Sequence, residues 1–539
     1  MAGITLLDST VLFILRMALE NAGEHDERPI DEVRADATPL MAWLADNASG
    51  SVKPAAPNGK LEVHIVLDGM PGYAQVRVYP AFERSGSGFN PIRDGQIEFW
   101  RAQTDANGTV GMQLPSGRPL MLEVTAGLHV SSFTAAFELA PGGTYTAYAD
   151  LRTLINLRTR GIRSGELHHH SVYSSPAYGG TDHVVDTAAD VYGSMRAAGL
   201  DFGALSDHHN TLNHKEWLSF QSSAFTPIRS KEISTSNGHV NQHGAADDVI
   251  YRIPAGEKRT DEYLRSEWLR VTKRIRDLGG LPVINHPCSW QSAISFPERF
   301  SDMLPMFEGM EIWNAATPYL EGFPNTRALA LWYNSLNQGV YLPAVCGSDT
   351  HNIMANDYQV ISGMLKEIRE AGGAKYTSMP EAAKRGYDWF VRARDAALQL
   401  YEPWAEQCLG TASARNLVSA GAAADENDIL NAIRNGRNVL TNGPLLNLAV
   451  NGAQPGGTAS VGGSAHIDVE LYAKKPLQVL TLTGRKGTRT FPLAPRVERD
   501  GLSDYSISLD LDVAGEEFLV ATADGGITNM AIANPVFLK

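Results

Sequence analysis

Gly165-Glu166-Leu167-His168-His169-His170-Ser171, Leu205-Ser206-Asp207-His208-His209-Asn210 and Gly347-Ser348-Asp349-Thr350-His351 are the cassettes on which the reading of this chain turns. Between the second and third lie Lys231-Glu232-Ile233 with Gly238-His239, and Asn285-His286-Pro287. Eleven of the fifteen histidines fall between His168 and His351. Imidazole and carboxylate are the donors that hold zinc, manganese or iron. A lone histidine is more often a core or capping residue. Five donor cassettes in order, most of them just past a strand end, reverse that weighting.

The segments around the cassettes alternate between strand and helix. Ala188 to Ala198 reads as a helix ended by Gly199, and Phe202-Gly203-Ala204-Leu205 as a short buried strand leading to His208. Tyr263 to Leu278 is a second helix, followed by the strand Leu281-Pro282-Val283-Ile284 and then His286. Val340 to Val345 repeats the scheme before Asp349 and His351. Donors that repeatedly follow strand ends are what an α/β barrel collects at one mouth. This unit runs over residues 155–444, with a helical insertion at 355–409 that could be a lid or a dimer contact.

Outward from that unit the periodicity changes. Leu61, Val63, Ile65 and Leu67 alternate with Glu62, His64 and Val66, and Gly and Pro clusters separate further short strands. Residues 60–154 therefore read as a small β-sandwich. Residues 445–539 return to alternation at His466-Ile467-Asp468-Val469-Glu470-Leu471 and Tyr505 to Leu511, suggesting a second one. Residues 1–50 read as helical. The apolar stretch Ile4 to Leu19 is broken by Asp8 and Arg16. It reads as an amphipathic helix docking on the protein or on a second subunit, which leaves a homo-oligomer open.

Composition narrows the function classes. The chain has 539 residues and a net charge of −14, which argues against a nucleic-acid partner. No stretch reads as a membrane span. Three cysteines, Cys288, Cys346 and Cys408, form no disulfide framework and fit a reducing compartment. The expected setting is the cytoplasm and the expected partner a small-molecule substrate.

The cassettes resemble the motifs of the PHP (polymerase and histidinol phosphatase) metallohydrolase superfamily. Residues 165–171 match its first motif, with Glu166 in place of Asp, and the four later cassettes match the rest in order. Val439-Leu440-Thr441-Asn442-Gly443-Pro444 and Ala533-Asn534-Pro535-Val536 look like the CehA/McbA (carbaryl hydrolase-like) subgroup. The resemblance implies an α/β fold: a distorted (β/α)7 barrel, here flanked by the two β-sandwich-like domains and the N-terminal helical segment. It implies that His168, His170, Glu232 and Asp349 hold one divalent metal and that Glu232, His239 and His286 hold a second. His208 and His351 would contribute to a third. The position at which many members place a further donor is Ser175 or Pro176, so two metals are expected unless Asp182 or His183 substitutes.

Two cations sharing a water make it acidic enough to attack an ester as hydroxide. His208, His209, His243 or His351 would protonate the leaving group if not ligated. Asp207 would orient a ligand histidine through its second nitrogen. His169 reads as an outward-facing strand residue. Arg229 and Lys231 precede Glu232, but alternation puts both on the opposite strand face, so the case for a phosphate clamp is thin. Trp290, Trp313 and Tyr178 suit an uncharged aryl or alkyl group, or else pack in the core. The resulting expectation is a metal-dependent hydrolase of a carboxyl or carbamate ester. The alternatives are a phosphoesterase, an amidase or lactonase, or a non-catalytic metal-containing protein whose sandwiches bind a carbohydrate or protein.

Overall fold

The computed structural model describes residues 19, 28, 30–47, 58–80, 100–353, 376–405 and 410–539, except 115, 118, 181, 183, 236, 252–257, 290–293, 316–317, 319–323, 500 and 527–528. Most of the Ile4–Leu19 stretch lies outside the described residues, as do His183, Trp290, Cys408 and much of the 355–409 insertion.

Strands within residues 59–80 and 100–151 form two four-stranded sheets around one core. Leu61, Val63 and Ile65 project inward from one sheet, and Val76, Val78, Leu120, Leu122 and Val124 from the other. Their period of two is what packs two sheet faces together.

The central unit is mixed α/β. Its helices form where the sequence supplies caps and an apolar stripe. Thr187 and Asp190 make a capping box at the start of Ala188–Ala197. Thr260 caps Asp261–Asp277, which buries Leu264, Trp268, Val271 and Ile275 on one face. The strands Phe202–Leu205 and Leu281–Asn285 lie where the apolar runs put them. The last donor strand is Ala344–Gly347 rather than 340–345. Pro343, which has no backbone N–H, precedes it.

The expected (β/α)7 barrel is not one closed ring. Five strands form one sheet, in the order Glu232–Thr235, Gly238–His243, Leu281–Asn285, Gly309–Asn314, Ala344–Gly347. Thr226–Arg229, Phe202–Leu205 and Ile162–Glu166 belong to a second sheet, which continues through Arg415–Ser419 and Asn438–Thr441 into Met530–Ala533 and beyond. The two sheets touch through isolated parallel bridges, His169 with Thr350 and His208 with Glu232. The ring stays open for two reasons. Glu232–Thr235 and Gly238–His243 form an antiparallel hairpin. Arg415–Ser419 joins Ile162–Glu166 antiparallel and leads the sheet away into the C-terminal strands. Both bridges lie at the donor cassettes, so the sheets come together where the donors are.

Beyond residue 445 the strands Leu445–Val450, Ser464–Ala473, Leu502–Asp512 and Val497–Arg499 form a further sheet. It shares a core with the continuation of the second sheet. Phe518, Val520, Met530 and Ile532 from this region also pack into the central core with Trp313 and Trp332.

The described part of the insertion includes the helix Glu381–Ala405, which packs on the helix Ile30–Asn47. Gly386 makes that approach: a Cβ there would stand 2.6 Å from the Asp36 carbonyl oxygen. No helix among the described residues is long and apolar enough to cross a membrane.

Candidate metal centre

Glu232 lies at the centre of the site. It opens the strand Glu232–Thr235, and its side chain is 1% exposed. Oε1 lies 2.9 Å from His239 Nδ1 and 3.1 Å from His286 Nε2, and accepts from Asn285 Nδ2 at 2.8 Å. Oε2 lies 3.5 Å from both His168 Nε2 and His170 Nε2, and 3.1 Å from His208 Nδ1. One buried carboxylate thus faces five imidazoles. Burial alone would raise its pKa, but His208, His239 and His168 hold it well below the usual carboxylate range.

Asp349 brings the second carboxylate. Its Oδ1 is 3.0 Å from His170 Nε2 and 3.3 Å from His168 Nε2. The cassette sits tightly on its neighbour. Asp349 N donates to the His168 carbonyl at 2.9 Å, and a Cβ on Gly347 would stand 2.3 Å from His168 Cβ. Asp349, His286 and His209 all have positive φ, at 52°, 25° and 64°. Such strain in residues other than glycine gathers where function requires a set geometry.

The neighbours determine which ring nitrogen each histidine turns toward the cluster. Ser174 Oγ donates to Asp207 at 2.7 Å, so it accepts from His170 Nδ1 at 2.9 Å and leaves His170 Nε2 as the lone pair. His351 Nδ1 donates to the Asp349 carbonyl at 2.9 Å, and its Nε2 faces Asp182 Oδ2 at 3.2 Å. His168 Nδ1 donates to Glu311 at 3.1 Å, and its buried Nε2 has no hydrogen-bond partner.

Three sets of donor atoms lie within 4.8 Å of one another and could each hold a cation: His168, Glu232 and His286; His168, His170 and Asp349; His170, His208 and His351. An orphaned imidazole nitrogen at the junction of two sets, among mixed nitrogen and oxygen donors, fits a metal centre. Asp182 joins the third set, with Oδ2 at 2.6 Å from His208 Nε2 and 3.2 Å from His351 Nε2. Of the two replacements suggested by the loop, Asp182 is thus beside the set. Asp182 and His351 are each 34% exposed against 1% for Glu232, so the cluster opens to solvent on their side.

The structure does not bring every candidate there. His243 pairs with Leu281 at the far end of the hairpin from His239. Its ring is buried, neither nitrogen has a partner, and burial lowers its pKa to about 3. Alternation puts His239 and His243 on one face of the strand, but four residues apart along it. Asp207 has no direct bond to a ligand histidine. It accepts from Ser171 N, Ser171 Oγ, Ser174 Oγ and Asn213 Nδ2, and reaches His170 only through Ser174. His169 faces away from the cluster, buried against Thr411. Trp313 is core, whereas Tyr178 is 41% exposed.

Glu311, Ser174, Asn285 and Asn314 were missed at the level of sequence. Glu311 also accepts from His286 N at 2.8 Å and from Asn314 Nδ2 at 3.0 Å. Its signal was a single acid inside the apolar strand Gly309–Asn314. Glu166 accepts from Ser348 N and Oγ and from Ala412 N. Burial, only partly offset by those bonds, raises its pKa to about 7.

No protein-family model and no curated protein matches the chain. Among solved structures, a protein of Bifidobacterium adolescentis assigned as a metal-dependent phosphoesterase overlays at 14% identity and a TM-score of 0.26, covering 38% of this chain and 96% of that one. A β-glucuronidase of Bacteroides uniformis overlays at 9% identity and a TM-score of 0.16, covering 87% of this chain and 58% of that one. What the chain shows on its own residues is a mixed α/β protein with histidine and carboxylate groups that could bind metal.

Proposed function

We propose that this chain is a PHP-type metal-dependent hydrolase that cleaves a carboxyl or carbamate ester of a small molecule. The observation that carries the reading is Glu232, a buried carboxylate with two imidazoles at one oxygen and three at the other. His168, His170, Glu232 and Asp349 would hold one cation, and Glu232, His239 and His286 a second. His208, His351 and Asp182 form the basis for a third. Zinc, manganese and iron all suit this donor set. Bound there, such cations supply acidified water and polarise the substrate oxygen.

The chain's own groups hold the ligand rings in one tautomer and keep the far side of the cluster dry. The exposed edge at Asp182, His351 and His209 is where a substrate would enter, and an unligated His351 or His209 would be placed to protonate a leaving group.

The cations beside Glu232 favour the uncharged ester over a phosphoester. Arg229 forms a two-pronged pair with Glu426, at 2.9 and 2.6 Å. Lys231 is buried against Asp248 and the Val249 carbonyl. Neither is available to clamp a phosphate. Metal-loaded protein should hydrolyse 1-naphthyl acetate or a 1-naphthyl carbamate at least tenfold faster, by kcat/KM, than p-nitrophenyl phosphate. The reverse order would replace the ester reading with the phosphoesterase one. No turnover of either class, with metal bound, would favour a binding protein.

A further inference from the structure

The strand Ala344–Gly347 delivers Asp349, and it pairs with Gly309–Asn314 along one edge only. Along the other, over Ala344 to Cys346, three asparagines occupy the place of a strand. Asn534 Oδ1 accepts from Ala344 N at 2.8 Å. Asn438 Nδ2 and Asn534 Nδ2 donate to the Ala344 carbonyl at 2.9 and 3.0 Å. Asn416 Oδ1 accepts from Cys346 N at 3.3 Å, and its Nδ2 donates to the Cys346 carbonyl at 2.8 Å. The amides also bond one another: Asn438 Nδ2 to Asn416 Oδ1 at 3.2 Å, and Asn534 Nδ2 to Asn438 Oδ1 at 2.9 Å. All three side chains are buried.

A primary amide carries the same donor and acceptor types as a peptide group, so this row copies the ladder of a missing neighbour. The row also fixes position along the strand. Sliding Ala344–Gly347 by one residue would turn the N–H and C=O groups of Ala344 and Cys346 away from the amides and leave both sides buried without partners. Such a shift passes straight to the site, because Gly347 rests on His168 and Asp349 N is bonded to the His168 carbonyl.

We infer that Asn416, Asn438 and Asn534 are positioning residues for the metal centre, holding Asp349 at the height where its carboxylate meets His168 and His170. The inference rests on the metal-centre reading above. Asn534 follows the strand Met530–Ala533, so the C-terminal region takes part in the site while supplying none of its donors.

The test is a titration of metal-free, full-length protein with cobalt(II) alone, followed by its visible absorption. Asn534→Ala is the first variant. Asn416→Asp is the second; it keeps size and acceptors but loses the donor to Cys346. Each should weaken cobalt binding tenfold or more while leaving the far-ultraviolet circular dichroism unchanged. In an Asp349→Ala background the same changes should alter the remaining cobalt affinity less than twofold, because their effect runs through Asp349. Unchanged affinity in both variants would overturn the inference, and so would equal losses in the two backgrounds, which mark a general loosening. Wild-type protein that binds no cobalt would instead overturn the metal-centre reading itself.

Discussion

Glu311 accepts a hydrogen bond from His168 Nδ1 at 3.1 Å, and this one contact turns His168 Nε2 toward Glu232 and Asp349. The same carboxylate takes the His286 backbone N–H, so it sets the angle of two ligand segments together. A ligand histidine whose second nitrogen is anchored to a carboxylate is held in one tautomer and made a better donor.

Replacing Glu311 with Gln should therefore weaken metal binding by about 10- to 100-fold while the fold is retained. Isothermal titration with zinc or manganese would measure it. An affinity within twofold of wild type would mean that His168 is oriented by packing alone.

The cluster should also make metal-free stability depend on pH. Glu232 and Asp349 are held well below their ordinary values of 4.5 and 3.8 by the surrounding histidines, against the opposing effect of burial. A depressed carboxylate stabilises the fold above its unfolded pKa, and that contribution is lost as the pH falls toward the folded one. His168 works in the other sense. Burial opposes its charge, but Asp349, Glu311 and Glu232 raise it well above 6.5. Its contribution is full below pH 6.5 and is lost as the pH rises through the raised value. The metal-free Tm should thus fall below about pH 4.5 and also decline on the alkaline side. A Tm flat from pH 3 to 9 would rule out this coupling.

The raised proton affinity of His168 among Asp349, Glu311 and Glu232 has a further consequence. Metal must displace the bound proton, so binding at pH 7 should release at least one proton per chain and weaken as the pH drops. Titrations in buffers of different ionisation enthalpy would count the protons. Zero release would contradict the assigned ligand.

Much of the candidate site was legible in the sequence because its imidazoles and carboxylates follow strand ends, and strand ends can be read from short apolar runs. Leu205, Ile284 and Val345 point to His208, His286 and Asp349 in that way. Alternation gives the face of a strand but not the height along it, which is why His243 read as a candidate beside His239. The hydrogen-bond partners were less legible. Glu311 and the three asparagines make contacts across tens to hundreds of residues, Ser174 reaches Asp207 33 residues away, and a buried amide has no periodic signature. The barrel closure failed because Glu232–Thr235 and Gly238–His243 pair antiparallel and Arg415–Ser419 joins Ile162–Glu166 antiparallel, and apolar periodicity marks a strand without giving its direction or partner.

Arg229 and Lys231 give a test of the substrate class. Arg229→Ala should leave KM for a naphthyl ester within twofold, because its guanidinium is bound to Glu426 and away from the cluster. It should lower stability by about 1–3 kcal/mol, since the mostly buried Glu426 loses both guanidinium bonds to Oε2 and keeps only the backbone N–H of residue 229 at Oε1. A tenfold rise in KM with unchanged Tm would place Arg229 at the substrate instead.

Gly386 should be intolerant of a side chain. Gly386→Leu would force apart the helices Ile30–Asn47 and Glu381–Ala405, at a cost of about 1–3 kcal/mol. Faster proteolysis within residues 30–47 would report the undocking. Unaltered cleavage would show that the N-terminal helix is held by other contacts.

The central claim, that Glu232 joins donors from separate strands around cations, is tested most directly by counting metal. Elemental analysis of protein reconstituted with zinc or manganese and then desalted should find at least two ions per chain in the wild type and one or none in Glu232→Ala. A wild-type chain that retains less than one ion, or a Glu232→Ala chain that retains as many as the wild type, would contradict it.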